Sequence, residues 1–134
     1  MNIETYADLI NAACQQGEPQ RLLFVFARAE LPDGATDEQK RQFEQGEGGS
    51  LAPVLCVDKL PEEVRDYATL VAESEATGVA WDVAFVSAMS GRGGVEPNSD
   101  QADQPLKMMM EQIQAGMVAQ FIALDRQGDI IQLH

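Results

Sequence analysis

The chain has 134 residues, 45% of them hydrophobic, with 22 acidic against 9 basic side chains and a formal net charge of −13. That length suits a single domain, 1–134, whose core needs no disulfide or metal staple. The charge repels phosphate backbones and anionic lipid, which argues against nucleic acid and membrane surfaces as partners and leaves basic partners easier to accept.

Residues 3–16 place Ile3, Tyr6, Ala7, Ile10, Ala13 and Cys14 at spacings of three and four, the stripe of a helix with Asn2 as cap and Gly17 as stop. From Gln20 to Glu30 the run Leu22-Leu23-Phe24-Val25-Phe26-Ala27 predicts a strand covered on both faces. Pro32-Asp33-Gly34 breaks the chain, and Thr36 to Gln45 reads as a very polar helix with a Thr36–Gln39 capping box. With Gly46-Glu47-Gly48-Gly49-Ser50 after it, the segment 33–50 is expected to be a mobile polar excursion, either plain surface or a flap that engages a protein partner.

A second strand is predicted over Ala52–Asp58, with Pro53 tolerated near its start. Pro61 then opens a helix whose inward stripe is Val64, Tyr67, Ala68 and Val71, and Gly78 ends it. The third strand covers 80–89 and leads into the turn Ser90-Gly91-Arg92-Gly93-Gly94. A fourth helix follows Pro97-Asn98-Ser99-Asp100, its regular part expected from Pro105, and it ends near Gly116. Its predicted core stripe is Leu106, Met110, Ile113 and Met117. That arrangement turns Met108 and Met109 outward, where exposed methionines suit an adaptable contact with a second copy of the chain. The tail, Val118–Asp125 and Asp129–Leu133 around Arg126-Gln127-Gly128, reads as a hairpin.

The alternation of helices and strands implies an α/β domain: a mixed sheet of about five strands, mostly parallel with a C-terminal antiparallel hairpin, flanked by about four helices. In a parallel sheet the carboxyl ends of the first three strands lie side by side. They would bring Arg28 and Glu30, Asp58 and Lys59, and Ser87, Ser90 and Arg92 to one cleft suited to a small polar metabolite. In that reading Arg28, Asp58, Lys59, Ser90, Gly91, Arg92 and Gly93 bind the ligand. The same residues equally suit a solvated sheet end, with Arg28 and Asp58 as an ordinary ion pair. The glycines at 91, 93 and 94 match neither the P-loop nor the dinucleotide fingerprint, so they serve either an anion or the backbone geometry of the turn.

Other chemistry is poorly supplied. His134 is the only histidine and the final residue, which removes Ser-His-Asp and Cys-His units and any His/Cys metal cluster. No cofactor motif is present and no metal is expected. Cys14 and Cys56 fall in apolar patterns and are expected to be buried thiols of a reducing compartment. With no leader-like start and no apolar run of spanning length, the expected address is the cytoplasm.

The segments Gln20–Pro32, Val57-Asp58-Lys59, and Trp81-Asp82-Val83 with Ser90-Gly91-Arg92-Gly93-Gly94 resemble a small bacterial family of uncharacterised proteins. Its members often carry the label "ribonucleotide reductase subunit alpha". The catalytic subunit of that name is a large barrel with a radical-site cysteine, a redox cysteine pair and a tail dithiol. This chain has two cysteines, so the resemblance implies a bacterial cytosolic origin and transfers no catalytic residue. The combined reading is a small acidic binding or interaction protein, homodimeric through the methionine helix. An enzyme or ligand sensor at the strand-end cleft is the alternative.

Overall fold

The structure, a computed structural model, describes residues 3–30, 36–44, 50–118 and 120–131. The elements run α1 (Tyr6–Cys14), β1 (Gln20–Glu30), α2 (Asp37–Glu44), β2 (Ser50–Lys59), a 3-10 turn (Pro61–Glu63), α3 (Tyr67–Glu75), β3 (Val83–Ser90), α4 (Ser99–Gln114), β4 (Ile122–Leu124) and β5 (Ile130–Ile131). The class is α/β with one five-stranded sheet, in the order β2-β1-β3-β4-β5.

Every pair of neighbouring strands in this sheet is antiparallel, which corrects the mostly parallel arrangement expected from the alternation. The reason lies in α2. A crossover helix must lay an apolar face on the sheet, and Asp37–Glu44 has only Phe43 as a large apolar residue. The chain therefore turns back and pairs β2 directly with β1. Strands β2 and β3 are both antiparallel to β1, hence parallel to each other, with β1 between them and α3 in the connection. The tail hairpin is present, its first strand shorter than predicted, and residues 132–134 of the predicted second strand and tail lie outside the described residues.

β1 is an interior strand between β2 and β3, and its residues from Gln20 to Ala27 are all buried. Its even positions Leu22, Phe24 and Phe26 pack with Tyr6, Leu9, Ile10, Val64, Tyr67, Leu70 and Trp81, under α1 and α3. Its odd positions Leu23, Val25 and Ala27 pack with Phe85, Ala102, Leu106, Met109 and Ile113, under α4. A continuous apolar run thus meets a helix layer on each face, as a two-sided sheet requires.

Local chemistry sets the helix ends. Thr5, not Asn2, caps α1 through a reciprocal box with Asp8, and Asn98 caps α4 through one with Gln101. Asp66 caps α3, so Pro61 opens only the 3-10 turn. α4 starts at Ser99 and carries Pro105 in its interior. The inward residues shift accordingly. Leu9 is buried in α1 while Ala7 and Cys14 are exposed, and Leu70 and Ser74 replace Ala68 in α3. In α4 the stripe is Ala102, Leu106, Met109 and Ile113. Met109 is 2% exposed and cannot serve as a contact between copies, whereas Met108 is 51% exposed. Met117, beyond the helix end, is exposed rather than core. Cys56 is exposed as well as Cys14, which corrects the buried reading of both.

Candidate functional site

Antiparallel pairing separates the residues that a parallel sheet would have gathered. Asp58 lies opposite Leu23 of β1, and Arg28 lies opposite Ala52. Arg28 is five residues beyond Leu23, about 17 Å along the strand. Arg28 therefore stands at the far end of the sheet, where it pairs with Glu30 at 3.1 Å. The shared cleft of Arg28 and Asp58 does not form.

At the other end the chain satisfies its own polar groups. Asp58 pairs at 2.6 Å with Arg21, a residue the sequence reading passed over, and accepts a hydrogen bond from Ser99 Oγ at 2.7 Å. Arg21 Nε donates to the Pro97 carbonyl at 2.6 Å. A cation directly before the apolar run Leu22–Ala27 is the signal for this cluster, since a buried arginine requires a partner. It fastens the start of α4 to β1 and β2. Lys59 faces the opposite side and pairs with Glu73 of α3 at 3.0 Å.

The turn after β3 is a hairpin loop. Arg92 and Val95 exchange backbone hydrogen bonds of 3.0 Å each way, and Gly93 and Gly94 between them have φ of 60° and 80°. Two adjacent residues at positive φ define a type I′ connection, which glycine adopts without strain. Gly91 is fixed by packing: a Cβ there would lie 2.0 Å from the Val95 carbonyl oxygen. The amide of Gly94 donates to the Glu18 carboxylate at 2.8 Å, and Ser90 Oγ accepts from Gln20 at 2.9 Å. The anion that this turn holds is thus the chain's own. Arg92 is exposed beside it.

An open concave space lies elsewhere, on the α4 face. A cleft of about 520 Å³ sits between α4 and the carboxyl end of β3, lined by Leu23, Ser87, Met89, Pro105, Met108, Met109, Gln112, Gln120 and Phe121 together with Ala88. Only Ser87 of the expected strand-end residues lines it. Its walls follow from α4's own pattern. Gln101, Gln104, Pro105, Met108 and Gln112 recur at three and four residues along one flank, whereas Asp100, Asp103, Lys107 and Glu111 recur along another. The uncharged flank borders the cleft, and among the described residues none that lines it is ionisable. Cys56 of β2 feels the charged flank: partial burial, then Asp103 and Asp58, push its thiol pKa up. Across the cleft mouth Gln120 Nε2 donates to Gln112 Oε1 at 2.7 Å.

A second, smaller space of about 210 Å³ lies between β2 and α3, over Phe26, Leu55, Val57 and Leu70. Among the described residues no group of acidic, histidine or cysteine side chains is arranged to hold a metal ion, and no helix is long and apolar enough to cross a membrane. Of the segment 33–50 only Thr36, α2 and Ser50 are described, so its expected role as a partner-binding flap lies largely outside the described residues. No family model, curated protein or solved structure matches the chain.

Proposed function

We propose that this chain is a small acidic binding protein without catalytic chemistry of its own, and that it pairs with a second copy through the uncharged flank of α4. The carrying observation is the segregation of charge on that helix. Two chains of net charge −13 repel each other, so association is least opposed where neither presents an acid. Gln101, Gln104, Pro105, Met108 and Gln112 form such a face, with Met108 half-exposed at its centre. A two-fold contact there brings the two half-exposed Met108 side chains together, flexible apolar groups that adapt to one another.

The bacterial family resemblance carried by Gln20–Pro32, Val57–Lys59 and the Ser90–Gly94 turn, and the cytoplasmic address that goes with it, belong to this proposal. The alternative metabolite site is weakened by the placement of Arg28 and by the use of Asp58, Ser90 and Gly94 within the chain. Light scattering at tens of micromolar tests the pairing. A mass about twice the 14.6 kDa of one chain is expected, and Met108→Glu should return it to one chain. A monomeric wild type, or a dimer indifferent to Met108→Glu, refutes the proposal.

A further inference from the structure

The α4–β3 cleft, whose rim shares Met108 and Gln112 with the uncharged flank of α4, has a chemistry of its own. We infer that it binds an uncharged small molecule made of a flat apolar body with an amide-type edge, a neighbouring N–H and C=O. The volume of about 520 Å³ falls in the range of small-molecule sites, and such sites are apolar with a few placed polar groups. Here the apolar part is Leu23, Met89, Met109 and Phe121, and methionine sulfur and a phenyl ring favour a planar, aromatic guest.

The polar part comes from the two glutamines. A hydrogen bond between two primary amides uses one N–H of one and the carbonyl of the other. The Gln120–Gln112 bond therefore leaves one NH2 group and one carbonyl without a partner among the described residues, on side chains that both line the cleft. A donor and an acceptor held together by that bond match the complementary pair of an amide, lactam or base edge. The Ser87 hydroxyl adds a third uncharged contact. Among the described residues nothing in the lining would compensate a buried charge, so an ionised ligand of the same shape would lose its hydration without return.

The probes are benzamide, benzoate and toluene: the same ring with a neutral amide, a charge, or neither. The full chain is labelled with carbon-13 at the methionine methyls and titrated with each by NMR. Benzamide should shift Met89, Met108 and Met109 saturably, with a dissociation constant on the order of millimolar for so small a molecule, and leave Met117 in place. Benzoate and toluene should each bind roughly tenfold more weakly, and Gln112→Leu should weaken benzamide by roughly tenfold. The inference is overturned if benzoate or toluene matches benzamide, if Met117 moves as much as Met89, or if benzamide gives no saturable shift. Light scattering on the same samples reports association separately. A monomer that binds benzamide sinks only the pairing. Because the pairing covers Met108 and Gln112, the titration is also run on samples diluted to the mass of one chain, and no saturable shift there sinks only the ligand.

Discussion

Replacing Asp58 by alanine isolates the polar cluster at the end of β1. Its carboxylate accepts from Arg21 at 2.6 Å and from Ser99 at 2.7 Å, and the two ionic side chains are only 11% and 19% exposed. Hydrogen bonds to charged groups contribute about 1.5–3 kcal/mol each, and stranding one partner of a buried pair costs about 3–5 kcal/mol. The two figures describe the same loss. With partial solvent access and the Arg21–Pro97 bond retained, about 3 kcal/mol is expected. For a chain of this size that corresponds to a fall in Tm of roughly 10 °C. Urea unfolding of four proteins reads it: wild type, Asp58→Ala, Arg21→Met, and Arg21→Met with Asp58→Leu. Each single change should be costly, and the double change should return to within about 1 kcal/mol of wild type, because no charge is then left unpaired. A cost below about 0.5 kcal/mol for Asp58→Ala, or simple additivity in the double variant, would refute the claim that this cluster fastens α4 to the sheet.

Four further outcomes are expected. Met109→Ala should cost about 2–4 kcal/mol in urea unfolding, against about 0.5 kcal/mol or less for Met108→Ala in the monomeric state, and equal costs would place the helix face wrongly. Gly91→Ala should destabilise by more than about 2 kcal/mol because its methyl meets the Val95 carbonyl, and an unchanged Tm would contradict that approach. Tyr6 and Tyr67, the only tyrosines, donate to the carbonyls of Val64 and Asp125, and burial raises both phenol pKa values well above 10. Their contribution is therefore full below pH 10 and declines as pH rises above it, while the unfolded chain ionises and the folded one does not. Absorbance at alkaline pH should show both phenols ionising together with unfolding, and independent titration near pH 10 would count against it. Cys56 should react with iodoacetamide more slowly at neutral pH than in the unfolded chain, and Asp103→Asn should speed it; no difference would remove Asp103 from its surroundings.

Local patterns were legible in the amino-acid order because their causes are local. The run Leu22–Ala27 demanded a strand with two covered faces, and it lies inside the sheet between β2 and β3 with both faces buried. The Ser90–Gly94 turn declared itself through its glycines, which the type I′ geometry requires. Three inward faces, those of α1, α3 and α4, were misplaced by a residue or so where apolar positions crowd together. Met108, Met109 and Met110 are chemically alike, and only the sheet beneath α4 selects Met109.

Strand direction and order belonged to the tertiary structure. Parallel and antiparallel neighbours have the same period of two along each strand, so alternation cannot tell them apart. The weak sign was α2, too polar to cover a crossover. Direction then decided the candidate site: it carried Arg28 to the far end, set Arg21 against Asp58, and gave Glu18 the amide of Gly94. The cleft under α4 joins Leu23, Met89, Gln112 and Phe121, residues far apart in sequence whose proximity exists only once β1, β3 and α4 have packed. Sequence fixes what each residue can offer, and packing decides which residues meet.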